Sequence, residues 1–479
     1  MDITDKFGSA QRKFKQFAAQ VGQLRIVPSD TGPTSSAQTA RVAVVIPVFN
    51  AVPYLQVLLD SLAAQDLDPT LFEVIAVDDG STDGGGQLLD IFAARHPNWR
   101  VIRQRNSGWP GKPRNVGIES SVSDYIFFCD ADDIMGPESL RRMLDFADEH
   151  QVDVLAPRMV GIGGRGVNST LFAKTLVDTP IRQIMATLTP QKLIRRELLA
   201  AHGIRFPLGK VRLEDGMMLA RCYLSARRIS ILADYDYYFI RTRDNGTNIS
   251  SQGTVPEKYT DSVLEIARII KDTHPDAKHA ELLVLDLYQR KLLRSYVPAR
   301  FRGMSPRVRD RWVKAHARFV SQHIPLHLEE QLGFPFRQRS ELVRGQDVEG
   351  LLRLAATEEA LRPNCRAALP QPGGAELRVQ LEPKAKFESA HLLARARGKD
   401  TQLLFELRPS NRDHVTHLPA SELASLGKVI VDLYVQLRLD GIDGNPRRLL
   451  APEEGLPAEF GGKRLYATVQ GNLSLDQRN

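Results

Sequence analysis

Between residues 41 and 135, continuous apolar runs alternate with segments of helical period. RVAVVIPVF opens this stretch, and a run so rich in β-branched residues fits a strand buried on both faces of a parallel sheet. Tyr54, Leu55, Leu58, Leu59 and Leu62 follow at helical spacing. FEVIAVDDGS reads as a second strand, residues 84–95 as a helix, and WRVIRQ as a third strand. PRNVGIESS then gives a helix expected to begin near Asn115, and DYIFFCDADD a fourth strand. Strands alternating with helices predict a doubly wound α/β sheet. Ligands of such sheets bind beyond the carboxyl ends of the strands, where the acidic residues here cluster.

The pattern changes elsewhere. Residues 1–27 place Ile3, Phe7, Ala10, Phe14, Phe17, Val21 and Leu24 at heptad spacing, predicting an amphipathic helix with Arg12, Lys13, Lys15 and Arg25 on its polar side. Such a helix can pack on its own domain, self-associate or lie on an anionic membrane surface. Residues 28–40 have linker composition. A domain over 41–254 is followed by a helical region, 255–361, with a first apolar stripe at Val263, Ile266, Ala267 and Ile270. RPNCRAALPQPGG, 362–374, reads as a second linker. Beyond it the period becomes two, at Leu377, Val379 and Leu381 and again from Val431 to Leu439, predicting an antiparallel β-sandwich over 374–479.

Composition narrows the class. The 479 residues are 42% hydrophobic and 25% charged, as in ordinary globular proteins. Cys129, Cys222 and Cys365 are isolated and odd in number, so no zinc ribbon or CxxC redox pair is encoded. Reduced, packed thiols and a cytoplasmic site are expected. No apolar run reaches the ~18 residues of a membrane span, and the N-terminus lacks a signal-peptide core. The net charge of +7 is gathered in RQRNSGWPGKPRN, KLIRRELL and RVRDRWVKAHAR. The last reads as a solvated face; the others suit an anionic ligand. No nucleic-acid motif is present.

Four constellations carry candidate chemistry. Pro47, Phe49 and Asn50 end the first strand, and Asp78-Asp79-Gly80-Ser81 ends the second, where a carboxylate can bind a base or ribose. Taken alone, DDGS is as readily a strand-to-helix turn capped by Ser81 or Asp83. Asp130-Ala131-Asp132-Asp133 ends the fourth strand, and carboxylates at i and i+2 can approach one Mn²⁺ or Mg²⁺ bound to a diphosphate. NSGWPGKPRN, with Asn106, Trp109, Lys112 and Arg114, reads as a tight basic loop ahead of a helix N-terminus. Glu214-Asp215 opens another helix, and either carboxylate could serve as a general base.

VVIPVFN, VDDGS and DADD, in this order, resemble the donor-site motifs of glycosyltransferase family 2, which has a GT-A, Rossmann-like fold. SGWPGKPRNVGI, GIGGRGVNSTLF, LTPQKLIRRELL and LEDGMMLARCYL resemble the wall teichoic acid glycosyltransferases of Gram-positive bacteria. Those attach N-acetylglucosamine from UDP-N-acetylglucosamine to poly(ribitol phosphate), and their C-terminal modules form trimers. The resemblance implies that Pro47, Phe49, Asp79, Asn106, Arg114 and Asp130 hold UDP. Asn50, Lys112 and Ala131 belong to the same motifs. It also implies that Asp132 binds the metal, that Asp215 is the base and Glu214 shapes the site, and that Arg165 lies near acceptor or donor phosphates. Two positions depart: Trp109 stands where the teichoic enzymes usually carry glycine, and Asn248 where a histidine is expected near the metal. The expectation is a cytoplasmic inverting transferase acting on an anionic polymer, with peripheral association at the inner membrane face through residues 1–27 and homo-oligomerisation as further expectations. The alternatives are a family 2 transferase for capsular glycan, lipid-linked sugar or peptide, and a non-catalytic polymer-binding protein.

Overall fold

The structure, a computed structural model, describes residues 40–243 and 253–478, apart from 334, 361–362, 382–386, 400, 440–441 and 444–445. The expected N-terminal helix, the linker at 28–40 apart from residue 40, and Asn248 lie outside the described residues. The chain forms two compact units, one ending at Leu283 and one beginning at Val284. That division falls inside the helix Ala277–Lys291, within the helical region read from sequence.

The first unit is built on β1 (Val42–Val48), β2 (Phe72–Asp78), β3 (Trp99–Arg103) and β4 (Tyr125–Phe128). These four are parallel, in the order β3-β2-β1-β4. Every residue of β4 is buried, as is all of β1 except half-buried Pro47, which is why both read as unbroken apolar runs. Helices α1 (Val52–Ala63), α2 (Gly85–Arg95) and α3 (Gly111–Ser120) connect the strands. Gly117 of α3 lies so close to β1 that a Cβ there would sit 2.2 Å from Val45 Cγ1.

The α/β sheet is as the sequence predicts, with one addition and one correction. The sheet is not wholly parallel. It continues through β8 (Leu193–Arg195) to β6 (Val154–Pro157) and β9 (Ile229–Leu232), and β8 runs antiparallel to both β4 and β6. At three residues within the basic stretch KLIRRELL, β8 is too short to register as an apolar run. Second, α3 starts at Gly111 rather than near Asn115, so Lys112 and Arg114 belong to its first turn and not to a loop. Pro113 is tolerated there because the first-turn N–H groups have no intrahelical acceptor in any case.

A small sheet lies beside the end of β4. Its central strand β10 (Tyr238–Arg241) pairs antiparallel with β5 (Ile134–Met135) and parallel with β7 (Met159–Ile162). The turn Asp130–Asp133 spans β4 to β5, closed by Asp133 N donating to Asp130 O at 3.1 Å.

In the second unit, helices fill Val284 to Ala360, followed by two antiparallel sheets. One has the order β11 (Asn364–Gln371), β12 (Gly374–Gln380), β16 (Asp413–Pro419), β15 (Arg408–Ser410). The other is centred on Ser389–Ala396 and Ile430–Leu439. Leu377, Val379, Leu392, Val431, Leu433 and Val435 are fully buried between them. The stretch 362–374, read as a linker, instead supplies β11 and its turn. Cys365 and Ala368 point into the core, and Pro370 is accommodated because β11 is an edge strand. All three cysteines are free and buried, as expected. Among the described residues no helix is long and apolar enough to cross a membrane.

Candidate active site

The acidic turn after β4 is fixed from below by Tyr238 of β10, whose hydroxyl accepts from Asp130 N at 2.9 Å. Each acid then has its own partner. Asp130 Oδ1 accepts from Arg114 at 2.8 Å and Oδ2 from Gln191 at 2.7 Å. Asp132 Oδ2 accepts from Arg243 Nε at 2.6 Å. Asp133 Oδ1 accepts from the backbone N–H of Arg241 at 2.7 Å, a structural role. Burial raises the Asp132 pKa, with the Asp130 charge adding to it and Arg243 opposing.

Glu214 and Asp215 open the helix Glu214–Ser225, the last helix of the site. Leu213, just before them, is left-handed at φ 59, a conformation a bulky side chain rarely adopts and one that turns the two acids toward the sheet. Asp215 Oδ1 accepts from Arg114 Nη1 at 2.6 Å, and Glu214 lies 3.8 Å from the same nitrogen. Arg114 is 3% exposed and lies over the Phe206 ring at 5.2 Å. One guanidinium therefore joins the donor-motif acid Asp130 to Asp215. Burial pushes the Asp215 carboxyl up to about 8, against the pull of Arg114. Glu214 is also raised by burial and opposed by Arg114.

Asp79 organises the loop ahead of α3. Its carboxylate accepts from Ser107 N at 3.0 Å, from Ser107 Oγ at 2.8 Å and from the Gln104 amide. Asn106 Nδ2 donates to Asp79 O at 2.9 Å. Gly108, at φ 76, completes the turn. Asn50, also left-handed at φ 46, ties β1 to the DDGS turn: its side chain accepts from Thr82 N at 2.8 Å. The N-cap residue of α2 is Gly84, not Ser81 or Asp83, yet the Asp83 carboxylate still accepts from the first helical N–H, Gly85 N, at 3.0 Å, and from Val52 N at 2.9 Å.

The structure thus gathers Arg114, Asp130, Asp132, Glu214 and Asp215, with Ala131 buried among them, and gathers Asp79, Asn106 and Asn50 at the neighbouring strand ends. Pro47 is half-buried, Phe49 is 47% exposed and Lys112 is exposed. The Trp109 ring stacks under Arg212 at 5.5 Å. Arg165 sits on the turn after β7, and no hydrogen bond or ion pair joins it to Asp130, Glu214 or Asp215.

Several contributors escaped the sequence reading. Asn115 clamps the backbone of Phe206 in both directions, at 2.8 and 2.9 Å, and so fixes the segment leading to Glu214. Lys192 is fully buried, donates to Thr189 O at 3.0 Å, and is pulled down to about 7 by burial, with Asp215 opposing. Gln191 and Lys192 fall in LTPQKLIRRELL, a stretch recognisable in sequence but without a chemical signature. Arg243 had no signal.

Hard oxygen donors are what Mn²⁺ or Mg²⁺ takes. Among the described residues no group of three or more His, Cys, Asp or Glu is placed to hold a metal. The donor set fits an ion that takes the Asp132 carboxylate and completes its shell on a ligand's phosphates.

Comparison with known proteins agrees with this geometry. Residues 43–203 match the family model of glycosyl transferase family 2, and residues 256–355 that of the glycosyl transferase TarS linker domain. The chain is 32% identical to the poly(ribitol-phosphate) beta-glucosyltransferase of Bacillus spizizenii over 68% of its own length and 52% of the relative's. It is 32% identical to the poly(ribitol-phosphate) beta-N-acetylglucosaminyltransferase TarS of Staphylococcus aureus, over 64% and 54%. It spans about half the length of these curated relatives. The crystal structure of S. aureus TarS aligns with 91% of this chain and 85% of its own at TM-score 0.64 and 23% identity. The structure of TarS residues 1–349 with UDP-GlcNAc aligns over 72% and 98% at TM-score 0.62 and 28% identity. On these matches the chain carries a glycosyltransferase family 2 catalytic domain of the GT-A fold.

Proposed function

We propose that this protein is an inverting glycosyltransferase that moves a sugar, N-acetylglucosamine as the first choice, from a UDP-sugar to a hydroxyl of an anionic polyol phosphate of the poly(ribitol phosphate) type. The observation that carries this reading is Arg114, which holds Asp130 and Asp215 at 2.8 and 2.6 Å from one buried guanidinium. The names of the relatives and the UDP-GlcNAc complex of TarS support the choice of donor and acceptor.

In this reading Asp79, Asn106, Pro47, Phe49 and Asn50 hold the uridine at the ends of β1 and β2. Arg114 and Lys112, in the first turn of α3, face the diphosphate with that helix's N–H groups. Asp132 would hold a divalent ion, which would neutralise charge on the leaving diphosphate. Asp215 removes the proton from the acceptor hydroxyl as it attacks the sugar carbon, and burial gives its carboxyl the basicity to do so. Glu214 shapes the site, while Arg165 and the Trp109–Arg212 pair line the acceptor side. The buried, free thiols agree with a cytoplasmic setting.

The C-terminal sheets serve self-association. Phe405 is buried and the Tyr434 ring is covered by two arginines, Arg395 at 5.2 Å and Arg448 at 5.0 Å, so neither ring offers a sugar platform. A lower-order assembly after truncation past residue 360 supports this role, and an unchanged one contradicts it.

The test of function is UDP release with Mn²⁺ across a set of UDP-sugars, with poly(ribitol phosphate) or a neutral glycan as acceptor. Faster release with the polymer, weakened by salt, supports the reading. Equal turnover on the neutral glycan without salt dependence contradicts it.

A further inference from the structure

We propose that Arg243 is the resident counter-ion of Asp132, and that a divalent cation reaches this carboxylate only together with a nucleoside diphosphate. The inference rests on the transferase reading above and adds an order of binding to it.

Arg243 Nε meets Asp132 Oδ2 at 2.6 Å, and the two side chains are 18% and 12% exposed. The Tyr54 ring lies 5.7 Å from this guanidinium and 5.4 Å from that of Arg241, so Arg243 is bounded by an aromatic face as well as by the carboxylate. The neighbouring acids are engaged elsewhere: Asp130 by Arg114 and Gln191, Asp133 by the Arg241 backbone. A carboxylate this buried needs a cation, and here the chain provides one.

An incoming dication alone must displace a charge-assisted hydrogen bond and shed water for the one carboxylate, Asp132, that the described residues place for it. Ions of this kind are ordinarily held by one or two carboxylates plus substrate phosphates. A diphosphate changes the balance twice. Its oxygens complete the ion's shell, and they offer the displaced guanidinium a planar, doubly hydrogen-bonding anion. Nucleotide and metal therefore bind with strong mutual cooperativity, and Arg243 passes from Asp132 to phosphate.

Mn²⁺ titration followed by the electron spin resonance of free ion tests this without reference to turnover. Wild type should bind Mn²⁺ weakly alone and at least about tenfold more tightly with saturating UDP. Arg243→Gln, without nucleotide, should bind Mn²⁺ at least about tenfold more tightly than wild type, and Arg243→Lys should stay near wild type. The gain should vanish in Arg243→Gln combined with Asp132→Asn. Equal Mn²⁺ affinity of nucleotide-free wild type and Arg243→Gln overturns the proposal, as does a gain that survives Asp132→Asn. Calorimetric titration with UDP separates the two claims. Failure of wild type to bind UDP overturns the transferase reading, while the nucleotide-free comparison still decides the role of Arg243.

Discussion

Arg114 and Asp215, 101 positions apart in sequence, meet at 2.6 Å in the centre of the site. The same guanidinium holds Asp130 at 2.8 Å, so one side chain couples the carboxyl end of β4 to the start of the helix Glu214–Ser225. Removing it leaves two partly exposed carboxylates without this cation, a cost below the about 3–5 kcal/mol of a fully buried pair. Arg114→Ala should lower the melting temperature and reduce turnover by at least about a hundredfold. Arg114→Lys should restore little of either, because a single ammonium cannot span both acids as the planar fork does. Full activity in the lysine variant would remove the bridging role.

Burial raises the Asp215 carboxyl to about 8 against the pull of Arg114, so the ionised fraction of the base grows as pH rises into that region. A base works only once ionised. The kcat/KM of the free enzyme should therefore climb with pH through that region. Lys192 lowers this pKa by its charge. Lys192→Met should shift the climb to higher pH. A flat profile between about pH 6 and 9 in both proteins would contradict the assignment.

Asp79 holds the loop ahead of α3 through Ser107 and Gln104. In Asp79→Asn the backbone N–H of Ser107 keeps an acceptor but loses the charged one, worth about 1.5–3 kcal/mol. UDP affinity should fall about tenfold or more, and the midpoint of thermal unfolding should drop by a few degrees. Calorimetric titration with UDP checks it.

Gly117 is the contact point of α3 with β1. Gly117→Ala forces a methyl to 2.2 Å from Val45 Cγ1, against buried strand atoms that have nowhere to go. Overpacking of this kind costs about 1–3 kcal/mol. Denaturant unfolding should register that loss, together with reduced turnover as α3 carries Arg114 away from its partners.

The parallel half of the sheet was legible because β1, β2 and β4 are buried almost throughout and so appear as unbroken apolar runs. The acids at their ends were legible for the same reason: a run that stops in DDGS or DADD marks a strand's carboxyl edge. β8 was hidden by its length and by its basic neighbours. β11 was hidden by Pro370 and the flanking turn residues, which edge strands tolerate. Asp130 and Asp215 could each be singled out as candidates, but nothing local to either indicates that Arg114 joins them. Asn115 and Arg243 act through contacts 91 and 111 positions away, at Phe206 and Asp132, and Lys192 through its charge on Asp215, 23 positions away; such pairings leave no periodicity to read.

The central claim is that Asp215 is the base for sugar transfer to an anionic polymer. The direct test is UDP release from UDP-GlcNAc with Mn²⁺ and poly(ribitol phosphate), wild type against Asp215→Asn. The account predicts a loss of about 10²–10⁴-fold in kcat while UDP still binds. Asp215→Asn turning over at the wild-type rate would contradict it.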